Sequence, residues 1–389
     1  MAVHMDAQAE IREVARRFAR ERLAPGYQAR EREERLDPAL LREMGGLGLI
    51  GPDLPERFGG IGADGATAGI VIEEIAYGDF NVSYAQLLGS LMGGILTRHA
   101  PEAIAAAWVP RIVAGEAVVA LGLTEPRGGS DAANLALRAR RDGGGFRLSG
   151  EKTSISFADQ ADAIVLFARS GQAEDGARGI SAFLVPLDAP GISRTRFNDV
   201  GSRIIGRGSL FFDDVAVPAD ALIGREGAGF TQVMQGFDYS RVLIGLQCIA
   251  AAQASVDETW AYIRDRHAFG APLAQYQGVS FPIAEAETVL AAARQLCYHT
   301  LSLRDRGVPH TAEAAMCKWY APKHAVEVIH QCLLTHGHYG WTMDLPHQQR
   351  LRDVMGLEIG DGTAQIMKLI IARERVGRIA VQYANRGTA

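Results

Sequence analysis

Val118-Val-Ala-Leu-Gly-Leu123-Thr-Glu-Pro-Arg-Gly-Gly-Ser-Asp131 is the stretch on which the fold turns, because the residue period changes inside it. Upstream, apolar residues recur at helical spacing. Val118 to Leu123 is instead a short β-type run, closed by a Gly-Gly-Ser-Asp turn. Four more runs of this kind follow: Phe146-Arg-Leu-Ser149, Ala163-Ile-Val-Leu-Phe-Ala168, Ser181-Ala-Phe-Leu-Val-Pro186 and Leu210-Phe-Phe-Asp-Asp-Val-Ala-Val217. Gly, Asp and Ser clusters separate them, as expected of strands in a small antiparallel β domain or barrel. No strand-like run leads into G-x-G-x-x-G, which disfavours a Rossmann fold.

On either side of this segment the period is helical. Ile11, Val14, Ala15 and Phe18 form one stripe of a first helix, closed by Pro25. Asp37-Pro38 has the cap and first-turn residues of a second. Further helices are expected over Asp64–Gly78 and from Val82 to about His99, the latter apolar nearly all round through Leu87, Leu88, Leu91, Met92 and Ile95. Such a stripe is core or faces an apolar ligand. After Gly224-Arg-Glu-Gly-Ala-Gly-Phe230, four long helical patterns run over Phe230–His267, Val279–Arg306, His310–His336 and Thr363–Tyr383, which fits an antiparallel bundle. The expected fold is α+β and mostly α: a helical domain over 1–117, an antiparallel β-barrel domain over 118–227 and a four-helix bundle over 228–389.

The 389 residues, 48% hydrophobic and 22% charged, describe an ordinary soluble globular protein of more than one domain. A net charge of −5 gives no reason to expect a nucleic-acid partner. No apolar run reaches membrane-spanning length. Asp6, Glu10, Glu13 and Glu21 argue against a transit peptide, and the opening Met-Ala-Val-His-Met reads in part as an expression scar, so a cytoplasmic protein is expected. Of forty basic residues only four are lysines (Lys152, Lys318, Lys323 and Lys368), which with abundant Ala suggests a GC-rich genome. Cys248, Cys297, Cys317 and Cys332 lack C-x-x-C spacing and read as buried thiols; neither a disulfide nor a metal site is expected.

A carboxylate opens the last helical pattern, in Gly360-Asp361-Gly362-Thr363-Ala364-Gln365. Ile366, Leu369 and Ile370 follow on one face, with Met367 and Ile371 beside them, so that helix is expected to be mostly buried. Asp and Thr are both favoured N-caps, and a helix N-terminus favours negative charge. Asp361 is therefore either a cap or a reagent.

Taken together, five segments resemble the acyl-CoA dehydrogenase flavoprotein family, in order and across essentially the whole chain. Leu123 to Asp131 is similar to the family's signature, and Ser149-Gly150-Glu151-Lys152 to the segment leading to the flavin ring. Asp238-Tyr-Ser-Arg241 resembles the helix start that contacts coenzyme A. Arg266-His-Ala-Phe269-Gly270-Ala-Pro-Leu273-Ala-Gln-Tyr276-Gln277 resembles the motif that reaches a neighbouring subunit's flavin, and Gly360–Gln365 the turn that carries the catalytic carboxylate.

The resemblance implies FAD as cofactor. Leu123, Thr124, Gly129, Ser130 and Ser156 would line the flavin, with Ser130 also beside substrate. Arg266, Phe269, Leu273, Gln277, Thr363 and Gln365 would hold its diphosphate and adenosine, an Arg fork suiting two phosphate oxygens. Asp238 and Arg241 would meet the CoA ester. Homotetramers with an electron-transferring flavoprotein as partner are implied. So is α,β-dehydrogenation, in which a carboxylate removes the α-proton, hydride leaves the β-carbon for flavin N5, and the base residue's own N–H polarises the thioester oxygen.

Departures from the family refine this expectation. Most members carry Glu where Asp361 stands, and one branch carries its Glu where Ser240 stands, which leaves Asp361 as the matching base. Asp withdraws the carboxylate by about 1.5 Å, one C–C bond. An Asp here resembles the cyclohexane-1-carboxyl-CoA dehydrogenases, whose substrate has a ring methine as its α-carbon; cyclohexane-1-carboxyl-CoA, oxidised to cyclohex-1-ene-1-carboxyl-CoA, is the expected substrate. The alternatives are a short branched-chain acyl-CoA dehydrogenase, a flavin oxidase resembling nitroalkane oxidase, and a non-catalytic flavin- or CoA-binding relative. Ser154 stands where the family has a Trp near flavin and electron acceptor, and the Gly-rich loop survives residue for residue only at Gly337.

Overall fold

The computed structural model describes residues 2–33 and 35–381. Helices α1 (Ala2–Phe18), α2 (Tyr27–Arg30), α3 (Pro38–Gly46), α4 (Gly65–Gly78), α5 (Ser83–His99) and α6 (Glu102–Val113) precede the strands. These are β1 (Val119–Gly122), β2 (Arg138–Asp142), β3 (Gly145–Ile155), β4 (Ala163–Arg169), β5 (Ile180–Pro186), β6 (Ile192–Arg194), β7 (Gly208–Pro218) and β8 (Leu222–Ile223). Helices α7 (Gly229–Asp265), α8 (Gln277–Asp305), α9 (Thr311–Thr335), α10 (His347–Ile359) and α11 (Ala364–Val376) follow, with a tight hairpin of β9 (His267–Ala268) and β10 (Ala271–Pro272) between α7 and α8. By contact the chain forms two compact units. One joins the residues up to Ala29 to Gly65–Ser83 and everything from Arg241; the other joins Arg30–Asp64 to Tyr84–Ser240. The N-terminal helices are thus shared between the units.

In the second unit the strands form one eight-stranded sheet in the order β6-β7-β3-β2-β4-β5-β8, with β1 also on β4. Its pairings are antiparallel except that β1 and β2 run parallel to β4, so the sheet is mixed where an antiparallel domain was expected. Chain passing through β2 and β3 separates β1 from β4, and that length allows a parallel return. Every residue of β4 is buried, and Phe146 meets Phe183 edge-on at 4.9 Å beside it. α3 begins as expected: Asp37 Oδ1 accepts from Ala39 N at 2.8 Å and Pro38 occupies the first turn. Leu87, Leu88, Leu91, Met92 and Ile95 of α5 are all buried.

In the first unit α8, α10 and α11 pack on α9, and α1 and α8 pack on α4. The expected bundle gains a fifth helix, α10. Its apolar periodicity is weak because its buried face is polar: Asp353 accepts from Tyr27 Oη at 2.5 Å and Asn81 Nδ2 at 2.9 Å, and Arg350 donates twice to Glu258 at 2.7 Å. The last helix ends at Val376, with Gly377 at φ +74°, rather than near Tyr383, which lies outside the described residues. α11 also departs from expectation in being largely uncovered. It packs on α9 along one side, so of its apolar residues only Met367 is buried and Leu369 stays 36% exposed. The four cysteines are buried free thiols. Among the described residues no helix is long and apolar enough to cross a membrane, and no cluster of His, Cys, Asp or Glu could hold a metal.

Candidate active site

The turn between α10 and α11 shows which residue caps α11. Gly360 closes α10, donating to Gly356 O at 2.9 Å. Thr363 is the N-cap of α11, its Oγ1 accepting from Ile366 N at 3.5 Å. The cap position is therefore Thr363's, and Asp361 stands two residues before it, half-buried, with φ +55°. Left-handed backbone costs a non-Gly residue about 1–2 kcal/mol, so neighbouring contacts must hold it there. Gly362 suits glycine because its φ is +105°, a backbone conformation that strains any residue with a side chain.

Two buried cations hold this turn by its carbonyls. Arg241 of α7, 5% exposed, directs Nε at Asp361 O over 3.4 Å. Lys318 of α9, 1% exposed, donates to Leu357 O at 2.6 Å and Gly362 O at 3.1 Å. Burial brings the Lys318 ammonium down to about 8, against the pull of Asp361's charge. Arg241 was expected at the CoA ester on resemblance; its guanidinium lies against the Asp361 turn, while Asp238, one helical turn earlier, is half-buried.

In the same unit Arg266 lines a cavity of about 560 Å³ together with Tyr262, His336, Tyr339, Pro346 and His347. Tyr262 and His336 stack at 4.2 Å, and His336 meets His347 at 4.3 Å. Burial, then the neighbouring His336 and Arg350, takes His347 down to about 3; burial also lowers His336. Phe269, at the hairpin tip with φ +52°, is 99% exposed. Leu273 N bonds Arg266 O at 2.8 Å just before Gln277 opens α8. Gly337 turns at φ +61° beyond α9, and Gln365 is exposed in the first turn of α11.

In the other unit the Leu123–Asp131 segment is anchored by a buried ion pair. Lys152 Nζ donates to Glu125 Oε1 at 2.8 Å and Leu123 O at 3.0 Å. Glu125 also accepts from Ala136 N at 2.6 Å and Leu137 N at 2.8 Å. Burial brings Lys152 down to about 8; burial pushes Glu125 up, but Lys152 and the two backbone donors outweigh it, and the carboxyl ends below its ordinary value. Thr153 N bonds Thr124 O at 2.9 Å and so ties the motif to β3. Leu123 is buried, Thr124 and Ser156 are half-buried, and Gly129 and Ser130 are exposed on the turn. Ser154 sits in an irregularity of the β3–β7 pairing, exposed, at φ +57°. The sequence reading passed over the support given by Lys152, Glu125 and Lys318; scarcity of lysine was the one signal that could have found it.

Three family models cover the chain: the acyl-CoA dehydrogenase N-terminal domain over residues 5–116, the middle domain over 120–215 and the C-terminal domain over 227–375. The chain belongs to the acyl-CoA dehydrogenase family. It is 35% identical to the mitochondrial short-chain specific acyl-CoA dehydrogenase of Bos taurus over 364 residues, 93% of this chain and 88% of that protein. A chain in the structure of the electron transferring flavoprotein of Acidaminococcus fermentans superposes with a TM-score of 0.92 at 30% identity, covering 95% of this chain and 97% of that one. Glutaryl-CoA dehydrogenase of Mycobacterium smegmatis, solved with FADH2, matches at a TM-score of 0.90 and 26% identity over 95% of both. The protein is thus an oxidoreductase acting on acyl-CoA, with FAD as cofactor. Its residues fit that group in part: Arg266 lines an aromatic-walled cavity that suits a diphosphate joined to an adenine ring, with Glu258, Asp265 and Asp344 sharing the lining.

Proposed function

We propose that Asp361 is the base that removes the α-proton of the acyl-CoA, and that the preferred acyl group is alicyclic, cyclohexane-1-carboxyl-CoA being oxidised to cyclohex-1-ene-1-carboxyl-CoA. The observation that carries the base assignment is the turn: Thr363 rather than Asp361 caps α11, and the strained backbone at Asp361 is held by two buried cations; the alicyclic preference rests on the shorter Asp standing where Glu is usual. The Asp361 carboxylate takes the α-proton while its own N–H donates to the thioester oxygen and acidifies that proton. FAD, when bound, supplies the acceptor for the hydride leaving the β-carbon. Leu123, Thr124, Gly129, Ser130, Ser154 and Ser156 would hold the flavin ring and ribityl end. Arg266, Phe269, Leu273, Gln277, Gly337, Thr363 and Gln365 would hold the diphosphate and adenosine. Asp238, Arg241 and Ser130 would steady the CoA ester.

A cytoplasmic homotetramer passing electrons to an electron-transferring flavoprotein completes the proposal; Phe269, at the tip of the β9–β10 hairpin, is fully exposed and free to meet a second copy. A short-chain acyl group is the second reading, supported by the 35% identity to the Bos taurus enzyme. Turnover of cyclohexane-1-carboxyl-, butyryl-, isobutyryl- and hexanoyl-CoA with an artificial electron acceptor decides between them. The alicyclic reading expects the highest kcat/KM on the ring substrate and falls if butyryl-CoA leads.

A further inference from the structure

The chain uses arginine for nearly all of its cationic work, with four lysines among forty basic residues, yet one of the four is sealed in the first unit beneath Asp361. We propose that Lys318 is a positioning residue for Asp361: its ammonium holds the carbonyls on both sides of that residue and so keeps the turn in the conformation that presents the carboxylate. The inference rests on Asp361 being the base.

The geometry argues for position rather than packing. Leu357 O belongs to the last turn of α10, where helix carbonyls lack an intrahelical partner. Gly362 O lies beyond Asp361, on the far side of the left-handed residue. One ammonium bonding both, at 2.6 and 3.1 Å, fixes the distance between the end of α10 and the start of α11 with Asp361 between them. Arg241 adds a bond to the carbonyl of Asp361 itself. A turn pinned at 357, 361 and 362 has little freedom to relax the φ of +55°.

Lysine suits this place and arginine does not. An ammonium is compact and its three donors can point at two diverging carbonyls, whereas a guanidinium offers its donors in one plane. Its charge is costly to bury without opposite charge nearby. Asp361 in the turn and Glu358 of α10 supply attraction, and Arg241 of α7 a repulsion. Asp361 is the leading attractive partner among these, which couples the lysine to the carboxylate as well as to its backbone.

The test compares Lys318→Met, Lys318→Gln, Asp361→Asn and the double variant Lys318→Met/Asp361→Asn as FAD-loaded enzymes. Readouts are FAD stoichiometry, kcat and KM, the kcat–pH profile, and the isotope effect with α-deuterated substrate. Misplacing a catalytic group by an ångström costs up to ~100-fold, so Lys318→Met should lower kcat by ~10- to ~100-fold with KM changed by less than about threefold. Its isotope effect should rise and its acidic limb move to higher pH, because a positive charge that favours the carboxylate is gone. Lys318→Gln, which keeps a donor, should recover part of kcat. On the Asp361→Asn background, Lys318→Met should change kcat by less than about twofold, since the two residues act as a unit.

Native kcat in Lys318→Met overturns the proposal, as does an equal loss on both backgrounds. Failure of both Lys318 variants to fold or hold FAD assigns the residue to stability alone and also overturns it. Near-native turnover of Asp361→Asn would instead remove the base assignment, whatever Lys318 does.

Discussion

Replacing Lys152 by Met deletes an ammonium that is fully buried and bonded to the two residues flanking Thr124. Two losses follow. Glu125, 5% exposed, keeps its bonds from Ala136 N and Leu137 N but loses its counter-charge. Breaking a buried pair from one side costs about 3–5 kcal/mol. The Leu123 carbonyl loses its Nζ donor, worth a further ~1–3 kcal/mol if nothing replaces it. Lys152 itself resists burial, its pKa having come down to about 8, so relief of that cost offsets part of the loss. We therefore expect Lys152→Met to destabilise the holoenzyme by about 3–5 kcal/mol and to lower FAD occupancy by disturbing the Leu123–Thr124 segment. Neutralising the partner as well, in Lys152→Met/Glu125→Gln, should return at least ~1 kcal/mol, because the amide oxygen still accepts from a backbone N–H without a buried charge. Urea unfolding followed by circular dichroism, with FAD content measured in parallel, reads both effects. A loss under ~1 kcal/mol for the single variant, or no recovery in the double, would refute the account of this pair.

Two further outcomes are expected. Arg266→Ala should raise the dissociation constant for FAD at least ~10-fold, as expected for losing a charge-assisted contact of about 1.5–3 kcal/mol, and flavin fluorescence on dilution would show it; unchanged retention would remove Arg266 from the diphosphate. His347 titrates near its ordinary 6.5 when unfolded but near 3 when folded. Between those values the unfolded chain binds a proton that the folded chain refuses, so stability falls as pH drops from 6.5 toward 3, by up to roughly 1.4 kcal/mol per pH unit. His347→Asn should flatten that slope in urea titrations, and an unchanged slope would show that other groups set it.

Long helices and the runs that became β1, β3, β4, β5 and β7 were legible because burial imposed a clear period on them. β2 was not: in Arg138-Ala-Arg-Arg-Asp142 only Ala139 is buried, and charge hides the strand. α10 was missed for the opposite reason, since Gln349, Arg350 and Asp353 are buried polar residues whose hydrogen bonds reach distant parts of the chain. Asp361 could be singled out by its neighbours in sequence, but that Thr363 rather than Asp361 caps α11 needed the Thr363 bond. Lys318 lies 43 residues before Asp361, and no local pattern links a helical lysine to two carbonyls so far along the chain.

The claim that Asp361 is the base is tested most directly by the turnover of Asp361→Asn with FAD bound. Asn preserves the size of the side chain and nearly all of its hydrogen-bonding shape while removing its ability to take a proton. General base catalysis contributes at least ~100-fold, so kcat on the best acyl-CoA should fall by that factor or more while FAD and CoA-ester binding persist. A variant that holds FAD and turns over at the native rate would contradict the account and place the base elsewhere.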